Sequence, residues 1–86
     1  MDTAEAKGII RELITEIAED MDVDAEKITD SAKLVEDLEL DSMALLEVLA
    51  SMEKKFSISI PESEFPNLTS IDTCTETVEK YLNEKG

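Results

Sequence analysis

From Ile9 to Met21 the apolar residues recur at steps of three and four: Ile9, Ile10, Leu13, Ile14, Ile17, Ala18 and Met21. At about 100° per residue they fall on one side of a helix, with Glu12, Glu16, Glu19 and Asp20 mostly elsewhere. Little in the chain opposes that period. Two glycines, Gly8 and Gly86, and two prolines, Pro61 and Pro66, are all that occur in 86 residues. The pattern predicts a first helix from about Thr3 to Met21, capped by Asp2 or Thr3, with Glu5 placed for the helix dipole. A second is predicted from about Ser42 to Lys55. A third, from about Ser70 to Leu82, carries the stripe Ile71, Cys74, Val78, Tyr81 and Leu82, with Thr69 or Ser70 as its cap.

Residues 22–41 form a connection longer than a bundle loop needs. Its apolar points, Val23, Ile28, Leu34, Val35, Leu38 and Leu40, predict that it packs down, with a short helical turn around Ser31 to Leu38. Pro61 opens and Pro66 closes another single turn through Phe65. The expected fold is all-α: a small helical bundle of three main helices plus one or two short ones, with a long first connection. A chain of this length holds one core.

Composition narrows the function. Apolar residues are 42% and aromatics 3%, so Leu, Ile, Val, Ala and Met must fill the interior. Twenty-two acids against eight bases give a net charge of −14. Such a surface repels nucleic-acid phosphates and anionic membranes, and favours basic proteins or cations. The absence of histidine removes the commonest general base and metal ligand. A single cysteine, Cys74, supports neither an internal disulfide nor a cysteine zinc site, and its place on an apolar stripe marks it as a buried hydrophobe. Asp20, Asp22 and Asp24, like Asp37, Glu39 and Asp41, alternate as in a calcium loop. Both sets lack the turn glycine and the closing glutamate, so neither is read as an EF-hand. The acidic start MDTAEAK is unlike a signal peptide, and no run of about 18 apolar residues exists. A cytoplasmic monomer that enters no membrane is expected.

The second helix carries two apolar faces. Leu45, Val48, Leu49, Met52 and Phe56 share one arc and read as core. Met43, Leu46 and Ala50 share another, flanked by Glu47, Glu53 and Lys54. One core needs one stripe, so the second is either covered by the long connection or left open as a docking patch. Residues 1–40 hold 13 acids and 4 bases, net −9, whereas residues 41–55 hold 3 and 2, net −1. Any long-range steering field therefore originates mostly outside this helix. Ser42 follows Asp41 where the helix begins. Backbone N–H groups at a helix start suit a phosphate-bearing group. By itself this position reads first as an N-cap serine. No base stands near to make it a catalytic nucleophile, so an enzyme is not expected.

The stretch LVEDLELDSMALLEVLASMEKKFSISIP resembles the acyl carrier protein family. The family's motif opening the second helix is matched by Asp41-Ser42-Met43, its approach by Glu36-Asp37-Leu38, and its later pattern by Glu47, Phe56 and Ile58-x-Ile60-Pro61. The resemblance extends more loosely over residues 1–86, which then read as a single acyl-carrier-like domain. It implies that Ser42 is the attachment point for 4′-phosphopantetheine, transferred from coenzyme A by a phosphopantetheinyl transferase, with Asp41 helping to hold the transferase's magnesium. Acyl chains would ride as thioesters on the arm's thiol, and the chain itself would catalyse nothing. It also implies a docking face of Met43, Leu46 and Ala50, with Glu47 and Glu53 as acidic contacts for acyl-transferring or synthase enzymes. An acyl pocket lined by Leu45, Leu49, Met52, Ile60 and Leu68 is the further expectation.

The chain departs from that family in places. Glu39 stands where a glycine is usual, Met43 where leucine is, and Ala44 where many members have an acid. Lys54 weakens the acidic face. Phe65 and Pro66 are bulkier and stiffer than the norm, and the last helix extends by about four residues. These changes point to a specialised carrier in fatty-acid, polyketide or other lipid synthesis. An aminoacyl, peptidyl or D-alanyl carrier is the rival within the superfamily. A small acidic interaction or ion-binding module, with Ser42 as a mere cap, is the rival outside it.

Overall fold

Helix α1 spans Thr3–Asp20 in the computed structural model, which describes residues 2–85. Asp2 caps it, its carboxylate accepting the Glu5 N–H at 2.8 Å. Ala6, Ile10, Leu13, Ile14 and Ala18 are buried, while Ile9 and Ile17 pack at the margin of the core. The helix ends in a Schellman turn. Asp22 takes φ 62°, the Val23 N–H donates to the Ala18 carbonyl at 2.9 Å, and the Asp22 N–H donates to the Glu19 carbonyl at 3.0 Å. This turn carries Met21 off the stripe predicted for it, leaving it exposed. Asp22 and Asp24 shape backbone here: Asp24 caps a 3-10 helix over Ala25–Lys27, an element the periodicity did not predict. Among the described residues no cluster of acids is placed to hold a metal ion.

The rest of the long connection packs down as expected. Ala32, Leu34, Leu38 and Leu40 are buried. The Asp37 and Leu38 N–H groups both donate to the Lys33 carbonyl, forming the helical turn. Val35 projects outward and is 54% exposed, contrary to expectation, because the turn directs Leu34 and Leu38 inward and leaves it on the outer side. Two backbone bonds tie the connection to the third helix: Leu34 N–H to the Thr69 carbonyl at 2.8 Å, and Asp72 N–H to the Asp30 carbonyl at 3.1 Å. Arg11 pairs with Asp30, and Lys7 with Asp72 at 2.9 Å, which adds α1 to the same junction.

Helix α2 spans Ser42–Phe56 and stops at Ser57, which adopts the left-handed region at φ 54°. A second 3-10 helix, Glu62–Asn67, runs through Pro66 instead of ending before it; the Leu68 N–H closes its last turn on the Phe65 carbonyl at 3.1 Å. Helix α3 spans Ile71–Lys85, three residues past the predicted end. Ser70 and Thr73 cap it reciprocally. The Ser70 hydroxyl accepts the Thr73 N–H at 3.2 Å, and the Thr73 hydroxyl accepts the Ser70 N–H at 2.9 Å. Ile71, Cys74 and Val78 are buried, with Tyr81 and Leu82 at the margin. Buried Thr75 and Thr77 donate to the carbonyls of Ile71 and Thr73, which meets their polar demand within the helix. The helices α1, α2 and α3 close on one core of Leu, Ile, Val, Ala and Met, joined by Phe56 and Cys74. The all-α bundle expected from the period is the fold observed, with three main and two short helices among the described residues.

Candidate functional site

The start of α2 is built by Asp41, not Ser42. Asp41 has extended backbone, φ −89° and ψ 179°, and its carboxylate accepts the Ala44 N–H at 2.9 Å. It is the N-cap, and Ser42 is the first helical residue, exposed to solvent. The reading of Ser42 as a capping serine is thereby corrected. Either side chain carries a suitable oxygen, and the residue whose own backbone stays extended, Asp41, is the one that caps. The loop reaches Asp41 through Glu39, which takes φ 57° where glycine was expected. The left-handed turn is kept, at the cost of placing a β-carbon in it.

Along α2 the two predicted faces separate cleanly. Leu45, Val48, Leu49, Met52 and Phe56 are buried. Met43 is 73% exposed and Leu46 49%, with Ala50 and Glu47 exposed beside them. The long connection does not cover this stripe. Ala44, which stands where many family members have an acid, is only 4% exposed and belongs to the core. Glu53, expected as a docking contact, lies half-buried at the edge and accepts the Ile60 N–H at 3.0 Å. That bond holds the segment after α2 against the helix.

Beside Ser42 lies an open groove of about 390 Å³, lined by Ser42, Leu46, Leu49, Glu62 and Phe65. Across Phe65 a second groove, of about 230 Å³, runs past Leu45, Leu68 and Val35. The residues expected to line one acyl pocket are therefore distributed. Leu49 lies on the Ser42 side, and Leu45 and Leu68 lie beyond Phe65. Met52 and Ile60 are packed in the core and line neither groove. Glu62 and Val35 were not singled out as groove residues. Neither lies on a helical stripe, so no periodic signal could have placed them there. Phe65 was noted only for its bulk.

The remaining chemistry is inert. Burial pushes the Cys74 thiol up to about 12, and it lies in the core away from this face. With no histidine in the chain, the Ser42 hydroxyl has no imidazole to take its proton. An exposed serine at the start of a helix, in a small acidic bundle, fits the class of small carrier proteins.

The comparisons agree. A family model described as the phosphopantetheine attachment site matches residues 11–78. The chain is 32% identical over 82 residues to polyketide-8 synthase acyl carrier protein 2 of Streptomyces avermitilis, a match covering 95% of this chain and 91% of the relative. It is 36% identical over 66 residues to an acyl carrier protein of Buchnera aphidicola subsp. Baizongia pistaciae, covering 77% and 85%. It is 34% identical over 64 residues to an acyl carrier protein of Campylobacter concisus, covering 74% and 83%. The chain belongs to the acyl carrier protein family, whose members carry a phosphopantetheine arm and catalyse nothing themselves.

Proposed function

We propose that Ser42 is the residue to which 4′-phosphopantetheine is attached, by a separate phosphopantetheinyl transferase drawing on coenzyme A. The observation that carries this reading is the position of Ser42. It is exposed, it begins α2, and it is released from capping by Asp41. The residues present fit the arm. A phosphodiester there meets the positive end of α2, and its other end is free to leave the surface or to lie along the groove beside Ser42. When bound, the arm supplies a thiol that holds acyl groups as thioesters.

The chain's own residues position and present. Asp41 holds the start of α2 through one carboxylate oxygen, Oδ1, and its other oxygen would be the one to help hold the transferase's magnesium. Met43, Leu46 and Ala50 form the docking face, with Glu47 as its acidic contact and Glu53 at its edge. Encounter with basic synthase or transferase enzymes is favoured by the −14 charge of the whole chain. No helix among the described residues is long and apolar enough to cross a membrane. We place the carrier in the cytoplasm, in a specialised polyketide or lipid pathway. Glu39, Phe65 and the extended match to the Streptomyces carrier support that placement.

Intact-mass measurement of the apo protein, after incubation with coenzyme A and a promiscuous transferase, tests the attachment. One added arm is expected on the wild type and none on Ser42→Ala. A wild type that stays bare, or an arm on another residue, overturns the reading. Efficient elongation by a reconstituted general fatty-acid synthase overturns the specialised role alone.

A further inference from the structure

We propose that Phe65 limits the length of acyl chain this carrier shelters, by standing as a fixed partition between two apolar grooves. The inference rests on Ser42 being the tether. Of the side chains that line the groove beside Ser42, Phe65 is the one that also lines the groove running past Leu45 and Leu68. Its ring is half-buried and packed against the core. A chain tethered at Ser42 and lying in this groove runs against Leu46, Leu49 and the ring. The space beyond is reached only if the ring yields.

Its neighbours keep it from yielding. Glu64, the preceding residue, accepts hydrogen bonds from the Tyr81 hydroxyl, the Lys80 ammonium and the Asn67 amide at 2.6, 2.9 and 2.8 Å. Pro66, the following residue, has its own φ locked and restricts the backbone of Phe65. The second 3-10 helix is thus clasped to α3 on one side of the ring and stiffened on the other. Each methylene removed from water adds to the retention of a sheltered chain. Methylenes past the partition stay in water and add nothing. Short chains are therefore sheltered as well as long ones, and removing the ring would join the two grooves.

The experiment loads the apo protein with butanoyl, octanoyl and hexadecanoyl coenzyme A through a promiscuous transferase, and follows leucine methyl shifts and thioester cleavage by hydroxylamine. In the wild type, every cargo is expected to move the Leu46 and Leu49 methyls and to leave those of Leu45 and Leu68 in place. Octanoyl and hexadecanoyl thioesters should be cleaved at the same rate. In Phe65→Ala, with folding checked by circular dichroism, hexadecanoyl should move Leu45 and Leu68 and resist cleavage by at least about fourfold more, the equivalent of one further buried methylene. A wild type whose Leu45 and Leu68 respond to hexadecanoyl overturns the proposal without any variant. So does a folded Phe65→Ala or Phe65→Val that behaves as wild type. Intact mass separates the two levels of failure: an unloaded wild type refutes the tether at Ser42, whereas a loaded wild type with the wrong shift pattern refutes the partition alone.

Discussion

The Tyr81 hydroxyl donates to the Glu64 carboxylate at 2.6 Å and ties the second 3-10 helix to α3. Lys80 and Asn67 complete the cluster, and the Lys80 ammonium also sits 5.3 Å from the centre of the Tyr81 ring. Glu64 is only 8% exposed. Hydrogen bonds from Tyr81, then Lys80 and Asn67, lower its pKa from 4.5 to about 2. The folded state therefore binds a proton at Glu64 less readily than the unfolded chain. The stability this group contributes is complete above about pH 4.5 and is lost as pH falls toward 2. Urea unfolding across that window should show the decline. Glu64→Gln should lower stability at neutral pH and flatten this part of the pH dependence.

Asp41 and Ser42 are adjacent yet should behave oppositely. Asp41→Ala removes the N-cap and should cost about 1 kcal/mol in urea unfolding. Ser42→Ala alters an exposed helical position and should change stability by less than about 0.5 kcal/mol. A Ser42→Ala protein that is folded and of near wild-type stability is then a clean control for loss of the arm.

Glu39 holds a left-handed conformation with a β-carbon. Glu39→Gly relieves that strain, though it also frees the unfolded chain. The balance should raise stability by about 0.5–1 kcal/mol, read as a higher urea midpoint. A midpoint unchanged or lowered would show that the loop already relaxes around Glu39.

Cys74 is fully buried in α3, and burial alone raises its pKa to about 12. The thiol stays protonated across the physiological range and out of reach of reagents. Labelling by a thiol-reactive chromophore should be negligible in native buffer at neutral pH and complete in denaturant. Rapid native labelling would contradict the packing of α3 on α1.

The helices and their inner faces were legible because helical period is a local property. Ile10, Leu13 and Ile14 in α1, like Leu45, Leu49 and Met52 in α2, are spaced by the geometry of the element they occupy. The motif Asp41-Ser42-Met43 was legible for the same reason, since its residues are consecutive. Met21 lies in the turn that ends α1 with Asp22 left-handed, and Val35 lies on the outer side of the short turn that points Leu34 and Leu38 inward, so neither follows the stripe of a long helix. The burial of Glu64 was invisible, since its partners Lys80 and Tyr81 lie far along the chain.

Residue order was enough to specify three amphipathic helices, an acidic surface and a serine with no base beside it. It could not by itself say whether the second face of α2 would be covered, because Met43 and Leu46 are as apolar as the residues that end up inside. The folded structure settles that, along with the capping role of Asp41, the use of Glu53 to hold Ile60, and the place of Phe65 between two grooves. Local spacing is written in neighbouring residues. Exposure depends on what the rest of the chain brings against them.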